Sequence, residues 1–301
     1  MIYTNTVDTF FLIGGSGFIG KNIIRNLYAQ YQIYVFDKYI DHVFFEAYPQ
    51  VNVSELDLVQ DKIPESVVSP DYIVNLASIV TAERDLTLFD DLISSNLKIL
   101  LNLYERFKGN FSLKLFIQFG SSEEYGAKIS PFKEEEREYP SSPYALVKQL
   151  TTNTAMMLYY NYNFPVMVVR PANLFGPYQS ASKFIPYIVE RLKTNQPLDV
   201  SPCEQKRDFI HVDDFVFAIN GLLVNYKKSV GEIINVGSGC SISLKEIIET
   251  CKEELQSTSK VNYGALAYRE NEAMDLCCSI NKLNGIIGQE KVKTGILEYL
   301  K

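Results

Sequence analysis

Short apolar runs alternate with longer amphipathic stretches along most of the chain. The runs are rich in β-branched and aromatic residues and predict strands at Phe10–Ile13, Ile33–Phe36, Val51–Val53, Tyr72–Leu76, Leu115–Phe119 and Val166–Val169. The stretches between them predict helices near Phe18–Gln30, Leu86–Lys108 and Tyr144–Tyr160. Because runs of this apolarity suit a parallel sheet with helices on both faces, the pattern predicts a doubly wound α/β fold.

The pattern changes after Pro171, where a turn-rich segment is followed by shorter predicted helices at Phe184–Thr194, Asp213–Asn225 and Leu244–Leu255. We interpret this part as a smaller lobe that exchanges segments with the large domain. Residues 1–172 and 209–236 are assigned to the large domain, and residues 173–208 and 237–301 to the smaller C-terminal lobe.

Composition narrows the class of protein. The 301 residues are 47 % hydrophobic and 22 % charged, as in ordinary globular proteins. A formal net charge of −7 without a Lys/Arg run argues against a nucleic-acid-binding protein. The five cysteines form no regular framework, and no apolar segment is long enough for export or membrane insertion, so we expect a cytoplasmic protein.

A glycine-rich turn follows the first predicted strand, in the order Gly14-Gly-Ser-Gly17-Phe-Ile-Gly20. Glycines allow a tight turn and a close approach to a pyrophosphate, which the N-terminus of the next helix attracts, as in Rossmann-like domains. The second strand ends in Asp37, about twenty residues past Gly17, where an acid accepts hydrogen bonds from a ribose. Asp37 favours NAD as the cofactor, whereas Lys38 beside it leaves NADP open.

Tyr144 and Lys148 lie four residues apart on a predicted helix and therefore share one face. A cation near a phenol, whose free pKa is about 10, favours the phenolate, so this pair is a candidate for proton transfer at neutral pH. A Tyr-x-x-x-Lys spacing is common on surfaces, and it becomes specific only together with the glycine-rich turn and with Gly120-Ser-Ser-Glu-Glu-Tyr-Gly126 after a strand.

Taken in order, these motifs resemble the extended short-chain dehydrogenase/reductase family, which contains nucleotide-sugar epimerases, dehydratases, decarboxylases and 4-keto reductases. The resemblance covers nearly the whole chain and includes Asn75-Leu-Ala-Ser78, Arg170-Pro-Ala-Asn-Leu-Phe-Gly-Pro177, Lys183-Phe-Ile-Pro-Tyr-Ile188, Arg207-Asp-Phe-Ile-His-Val-Asp-Asp214 and Arg269-Glu-Asn-Glu272.

The resemblance implies roles for individual residues. Tyr144 would be the acid/base at the sugar 4-oxygen, Lys148 would bind the nicotinamide ribose, and Ser121 would hydrogen-bond the same sugar oxygen. The residues that would contact the cofactor are Gly14, Gly17, Phe18, Ile19, Gly20, Asp37, Lys38, Asp57, Leu58, Ala77, Ser78, Asn96, Tyr144 and Lys148. The residues that would contact the substrate are Ser122, Asn173, Lys183, Phe184, Arg207, Arg269 and Glu272. Arg207 and Arg269 also suit charge-assisted binding of a diphosphate.

Glu123 limits how far the reaction is specified. In the family, a glutamate at this position serves as a base or electrostatic element in dehydratases and decarboxylases, so we include Glu123 among the candidate catalytic residues. Ser121 and Ser122 precede it in place of a full dehydratase set. Lys183-Phe-Ile-Pro-Tyr-Ile, Arg207-Asp-Phe-Ile and Arg269-Glu-Asn-Glu-Ala-Met are similar to reductases of the abequose type.

The leading hypothesis is an NAD(P)-dependent epimerase of a nucleoside-diphosphate hexose, with hydride transfer at C4. A 4-keto-6-deoxyhexose reductase comes next, then a dehydratase or decarboxylase, and a non-catalytic NAD-sensing binding protein is the alternative outside enzymes. The resemblance also implies surface-glycan synthesis, such as that of O-antigen, and a homodimer formed through a four-helix bundle. The two histidines, His42 and His211, have no metal-ligand spacing, so we predict no metal site.

Overall fold

The computed structural model describes residues 7–81, 83–270, 272–288 and 294–300. Its strands are β1 (Thr9–Ile13), β2 (Gln32–Asp37), β3 (Asn52–Glu55), β4 (Tyr72–Asn75), β5 (Leu115–Phe119), β6 (Val166–Pro171), β7 (Asn173–Phe175), β8 (Leu198–Val200), β9 (Lys206–His211), β10 (Ile233–Val236), β11 (Ser241–Ser243), β12 (Val261–Tyr263) and β13 (Asp275–Leu276). Its α-helices are α1 (Phe18–Leu27), α2 (His42–Phe45), α3 (Phe89–Ile93), α4 (Ile99–Phe107), α5 (Pro143–Tyr162), α6 (Phe184–Lys193), α7 (Val212–Val224), α8 (Tyr226–Ser229), α9 (Leu244–Glu254), α10 (Asn281–Ile287) and α11 (Ile296–Leu300).

The large sheet has seven parallel strands in the order β10-β6-β5-β4-β1-β2-β3. The chain builds outward from β1 to β3, then returns to the other side of β1 with β4 and continues to β10. The direction of winding therefore reverses between β1 and β4, and ligands of such sheets bind at the carboxyl ends of the strands beside this reversal. The predicted Rossmann-like α/β class is confirmed.

Strand β1 shows why this sheet is covered on both faces. Successive side chains of a strand point to opposite faces, so an apolar strand contributes to two cores. Phe10 and Leu12 belong to the core that packs against α1 and α7. Phe11 and Ile13 belong to the core that packs against α4 and α5.

The six predicted strands of the large domain are all present, with ends that differ by a few residues. The predicted helix at Leu86–Lys108 is instead divided into a 3₁₀ turn (Leu86–Leu88), α3, a π-helical segment (Ser94–Lys98) and α4. The carboxyl-terminal strands β7 to β13 were not predicted, because most of them contain only two to four residues.

A separate hydrophobic cluster lies outside the large sheet. It joins α6, α9 and α11 to the short strands β8 and β12. Ile280 and Leu283, which we assigned to the smaller lobe, pack instead in the core beneath α7. Strand β9 also crosses the proposed boundary at 208/209, so the division into two lobes stays a prediction.

The described helices include none that is both long and apolar enough to cross a membrane. The prediction that the chain lacks an export signal rests partly on residues 1–6, which lie outside the described residues.

Candidate active site at the carboxyl edge of the sheet

The glycine-rich turn connects β1 to α1 and packs tightly against its neighbours. Gly14 has a φ of +76°, and its N–H donates to the Phe36 carbonyl at 2.8 Å. A Cβ at Gly14 would lie 2.9 Å from the backbone nitrogen of Ala77. A Cβ at Gly20 would lie 2.5 Å from the Cα of Gly15. These glycines are therefore required for close packing between the turn, the helix and the loop after β4.

The N-terminus of α1 is open toward solvent at the same turn. Within the described part of the chain, no side chain caps this helix at Gly17. Phe18 and Ile19 begin the helix, so their N–H groups have no intrahelical partner and carry the positive end of the helix dipole. A Cβ at Gly17 would meet only the Gly14 carbonyl oxygen, at 3.4 Å, which leaves room for a close approach by a pyrophosphate.

Asp37 ends β2 and faces the turn. Its Oδ2 accepts the N–H of Ser16 at 2.9 Å, and its Oδ1 accepts the N–H of Tyr39 at 3.3 Å. The carboxylate is thus held beside the glycine-rich turn, in the position predicted for a ribose partner.

Lys38 pairs with another predicted cofactor residue. Its Nζ lies 3.1 Å from Oδ2 of Asp57. The hydrogen bond from Lys38 lowers the pKa of Asp57 and the same contact raises the pKa of Lys38. Leu58, the next residue, is buried in the core beside α4. Lys38 is therefore engaged by Asp57 in this structure.

The other strand at the reversal is β4. Three predicted cofactor residues follow it in the chain: Ala77, Ser78 and Asn96. Ala77 abuts Gly14, and the Ser78 hydroxyl donates to the Ile79 carbonyl at 3.2 Å. Asn96 is fully buried in the π-helical segment, where its Nδ2 donates to the Leu92 carbonyl at 2.9 Å. Its Oδ1 has no hydrogen-bond partner among the residues that the structure describes. π-helical segments are frequent at functional sites, and a buried unpaired oxygen is available to a ligand.

Ser121, Tyr144 and Lys148 meet beside the end of β5. Ser142 caps α5 by accepting the N–H of Ala145, and Pro143 starts the helix, which places Tyr144 in its first turn. The Ser121 side chain lies close enough to the phenol of Tyr144 to lower the pKa of that phenol. The Nζ of Lys148 lies 5.7 Å from the centre of the Tyr144 ring and donates to the Phe119 carbonyl at 3.0 Å. The structure thus brings together the three residues that the sequence proposed for proton transfer.

The direction of the Tyr144 pKa differs from the expectation. Burial raises it above the ordinary value of 10, and the negative charge of Glu123 raises it further, while Ser121 opposes the rise. Burial lowers the pKa of Lys148 to about 8, against an opposing effect of Glu124. Desolvation therefore dominates both groups, and Lys148 does not offset it at Tyr144.

Glu123 lies near four cationic side chains. Its carboxylate is accessible to solvent but partly enclosed by protein, and this loss of bulk water raises its pKa. Positive charges oppose the rise, and these belong to Arg269, Arg207, Lys183 and Arg84. Such a set of cations suits an anion like a diphosphate.

Two of the predicted substrate residues pair with each other. Arg207 forms an ion pair with Glu272, so Glu272 holds this guanidinium in the structure. Arg207 also donates to the Ala273 carbonyl at 2.8 Å. Arg269 and Lys183 are exposed. Asn271, in the Arg269–Glu272 motif, lies outside the described residues.

The other substrate candidates differ in accessibility. Asn173 is exposed and its Nδ2 donates to the Asp208 carbonyl at 3.2 Å. Phe184 stacks on Phe209 with 6.2 Å between the ring centres. Ser122 begins the 3₁₀ turn Ser122–Tyr125 and is partly exposed beside Ser121. These contacts leave their predicted roles untested.

His211 lies at the junction of β9 and α7 and has a structural role there. Its Nδ1 accepts the N–H of Asp213 at 3.2 Å and caps α7. Burial lowers its pKa. Within the described ranges, no three His, Cys, Asp or Glu side chains are grouped as a metal site.

Three residues of the site region were missed by the sequence analysis. Arg84, in the loop after β4, donates to the Glu270 carbonyl at 2.5 Å and joins this loop to the segment that contains Arg269. Glu124 and Arg170 form a fully buried ion pair behind Ser121. A charged residue in the apolar strand Val-Met-Val-Val-Arg170 was a signal for a buried partner, because buried charges are paired.

Comparison with known proteins agrees with the family resemblance of the sequence motifs. Residues 10–237 match the NAD dependent epimerase/dehydratase family. The chain belongs to this family. It is thus an enzyme of the extended short-chain dehydrogenase/reductase type, and its cofactor is NAD. The open helix N-terminus at Gly17 and the placement of Asp37 fit this cofactor.

Two relatives show how the similarity is distributed. The chain is 40 % identical to the CDP-abequose synthase of Salmonella muenchen over 107 residues, which is 36 % of either protein. It is 25 % identical to the dTDP-glucose 4,6-dehydratase of Haemophilus influenzae over 285 residues, 86 % of this chain and 82 % of that protein.

Solved structures share the fold over almost the full chain. The UDP-glucuronic acid 4-epimerase of Bacillus cereus, in complex with UDP-glucuronic acid and NAD, aligns with a TM-score of 0.89 and 20 % identity, covering 97 % of this chain and 96 % of that one. The UDP-N-acetylglucosamine 4-epimerase of Methanobrevibacter ruminantium aligns with a TM-score of 0.87 and 23 % identity, with coverages of 97 % and 96 %.

Proposed function

We propose that the protein is an NAD-dependent epimerase of a nucleoside-diphosphate hexose that acts at sugar C4, with Tyr144 as acid and base. The observation that carries the proposal is the contact of Tyr144 with Ser121, beside Lys148 and at the same sheet edge as the glycine-rich turn. Epimerization returns the hydride to the substrate, so it needs no external reductant, which suits an NAD-dependent family.

In this proposal the chain's own residues bind the sugar nucleotide and move one proton. Arg207, Arg269 and Lys183 bind the diphosphate, and the Ser121 hydroxyl hydrogen-bonds the sugar 4-oxygen. NAD, when bound, supplies a hydride acceptor at nicotinamide C4. Because burial raises its pKa, Tyr144 would need the positive charge of a bound oxidised nicotinamide ring nearby to become a phenolate. As the phenolate, Tyr144 takes the proton of the 4-hydroxyl while the 4-keto group forms, and gives it back when the carbonyl is reduced on the other face.

A second candidate is the reduction of a 4-keto-6-deoxyhexose bound to a nucleotide. The specific observation in its favour is the 40 % identity to CDP-abequose synthase over 107 residues. The similarity to the same relative is also the basis for our proposal that the protein acts in a surface-glycan pathway, such as that of O-antigen. Glu123, with its raised pKa among four cations, keeps a dehydratase as the third reaction.

The deciding experiment begins with purified, untreated protein. The protein is denatured, and the released nicotinamide nucleotide is identified and counted by absorbance and mass. Candidate nucleoside-diphosphate hexoses are then incubated with the native enzyme. Near-stoichiometric NAD together with interconversion of 4-epimers supports the epimerase. Consumption of added reduced cofactor with a 4-keto sugar overturns it in favour of the reductase.

Tyr144→Phe tests the assignment of the acid/base. Loss of the proton-transfer group is expected to lower kcat by roughly 10²–10⁴-fold. Tyr162→Phe is the matched control at the exposed end of the same helix, and it should turn over at the wild-type rate. Wild-type turnover by Tyr144→Phe would show that Tyr144 is not the acid/base.

We also propose a homodimer formed through α5 and the helix beside it. Helix α5 buries one side in the core, yet Leu146, Leu150, Met157 and Tyr160 form an exposed apolar stripe on another side. Leu101 of α4 is exposed as well. Two such helices from each of two copies would make a four-helix interface.

The dimer is tested by light scattering during gel filtration. Leu150→Asp is expected to shift the protein to the monomer mass, because it places a charge in the stripe. Val224→Asp, an equally apolar exposed position on α7, should leave the mass unchanged. A wild-type protein that elutes as a monomer at micromolar concentration would contradict the proposed dimer.

The cytoplasm is proposed as the location. The five cysteines are all free, and Cys203, Cys251, Cys277 and Cys278 are buried. A reducing compartment suits such unpaired thiols.

A further inference from the structure

Glu124 is a fully buried carboxylate that the proposed reaction does not use. Its Oε1 accepts the Ser121 N–H at 2.7 Å and the Thr152 hydroxyl at 3.1 Å. Its Oε2 accepts Nε and Nη2 of Arg170 at 2.9 Å and 2.7 Å. A Cβ at Gly120 would lie 2.4 Å from Oε1, so the glycine makes room for the carboxylate.

Arg170 completes a buried ionic network. Its side chain is inaccessible to solvent, stacks over the Tyr125 ring at 4.6 Å and reaches Glu138 Oε1 at 2.5 Å. The network joins the end of β5, strand β6, helix α5 and the segment that leads into α5. Burial raises the pKa of Glu124, whereas Arg170, Ser121 and Thr152 favour its charged form. The guanidinium of Arg170 is always protonated, and two of its nitrogens contact the Glu124 carboxylate, so the pair is ionic.

The network lies directly behind Ser121 and Lys148. Thr152 is one helical turn beyond Lys148 on α5, so the carboxylate that binds Thr152 is close to the stem of this lysine. The hydrogen-bond acceptor of the lysine Nζ is a neutral carbonyl, that of Phe119. The charge of Glu124 raises the pKa of Lys148, and the charges of Glu123 and Glu124 raise that of Tyr144.

We propose that Glu124 is a positioning residue: its carboxylate holds the backbone of Ser121 and supplies the buried negative charge that keeps Lys148 in its ammonium form. The effect of Glu124 on catalysis rests on the proposed function. Its effect on the protonation of Lys148 does not depend on which reaction the protein catalyses. Arg170, on β6, partly neutralises the charge of Glu124. Glu138, in the segment before α5, in turn partly neutralises Arg170.

The electrostatic part is tested without substrate. Lysines are labelled with ¹³C at Cε, and the Lys148 signal is assigned by its loss in Lys148→Met. Its titration is followed by NMR from pH 6 to pH 10, a window that includes the wild-type pKa of about 8. Glu124→Gln removes the charge while keeping an acceptor for the Ser121 N–H. We expect the titration midpoint to fall by about one pH unit, a typical effect of one charge near a buried group.

Thr152→Val is the matched control, because it removes one hydrogen bond to Glu124 and leaves the charge. Its Lys148 midpoint should equal the wild-type value. If Glu124→Gln does not fold, Glu138→Gln is used in its place. It removes the partly exposed carboxylate that pairs with Arg170, so the positive charge of Arg170 is less neutralised and the Lys148 midpoint should fall by a smaller amount. An unchanged midpoint in the folded Glu124→Gln variant, or in Glu138→Gln as its substitute, overturns the inference.

Activity then separates this inference from the proposed function. In an active enzyme, the upper limb of the pH profile of kcat should move to lower pH in Glu124→Gln and stay in place in Thr152→Val. A shifted lysine midpoint in a protein without sugar-nucleotide turnover supports the electrostatic role and refutes the proposed function. A shifted midpoint in an active enzyme with an unmoved pH profile refutes the link between Glu124 and catalysis.

Discussion

Replacing Lys148 by Met is expected to stabilise the folded protein at pH 7 and to abolish turnover. The pKa of Lys148 is lowered from 10.5 to about 8 because its ammonium group is desolvated. At 1.36 kcal/mol per pH unit, holding the charged form in this site costs about 3 kcal/mol at pH 7. Methionine has a similar unbranched stem but loses the hydrogen bond to the Phe119 carbonyl, which is worth about 1 kcal/mol. The net gain is about 2 kcal/mol.

The gain depends on pH with a defined sign. Between pH 8 and pH 10.5 the unfolded chain keeps a proton on this lysine that the folded protein has lost, so wild-type stability rises with pH in that window. The cost is complete below pH 8 and vanishes above pH 10.5. At pH 9.5 about 1 kcal/mol of it remains, and the advantage of Lys148→Met should then be close to zero.

Urea unfolding under reducing conditions, at pH 7 and pH 9.5, measures this difference. Nucleotide-free protein is required, because bound NAD stabilises the folded state by mass action. Lys193→Met, at the exposed end of α6, is the control and should match the wild type at both pH values. A Lys148→Met variant that is less stable than wild type at pH 7, or whose advantage does not change with pH, would refute the reasoning.

Other expected outcomes concern the cofactor turn and the buried network. Gly20→Ala should lower stability by about 1–3 kcal/mol and weaken NAD binding in calorimetry, because its Cβ would strike backbone at 2.5 Å, whereas Gly109→Ala meets nothing within 4 Å. Tyr125→Phe should cost about 1–2 kcal/mol in urea unfolding, because the phenol donates to the buried Asn235 Oδ1 at 2.8 Å. Asp37→Ala should raise the affinity for NADP relative to NAD by about tenfold in competition binding, and an unchanged ratio would exclude Asp37 as the discriminating residue.

The sequence predicts the large sheet well because its strands are internally apolar. Phe10–Ile13 and Leu115–Phe119 read as buried strands without knowledge of their partners, since both faces of the sheet are covered. The short strands β8 and β12 of the separate hydrophobic cluster have no apolar run of this length. Strand β12 pairs with β8, more than sixty residues earlier in the chain, so long-range pairing decides their conformation.

The site was predicted to the extent that motifs report positions. The proximity of Tyr144 and Lys148 followed from helical spacing, and their position beside Ser121 from the family resemblance. The rise in the Tyr144 pKa did not follow, because desolvation depends on the surrounding protein and not on spacing. Arg84 was missed for a related reason: its contact with Glu270 joins two segments that are distant in sequence.

Arg170 and Lys148 are buried cations of the site region, and the fold gives them different partners. Arg170 has two carboxylate partners, Glu124 and Glu138, so its charge is compensated and contributes to a fixed arrangement of β5, β6 and α5. Among the described residues, the hydrogen-bond acceptor of the Lys148 Nζ is a carbonyl, and the charge of Glu124 offsets the desolvation of this ammonium only in part, so its charge is costly. A charge in direct contact with two carboxylates is fixed in place, whereas a buried charge that is only partly offset responds to any neighbour that gains or loses charge. The chain thus concentrates its electrostatic sensitivity at the lysine beside Tyr144, where proton transfer is proposed to occur.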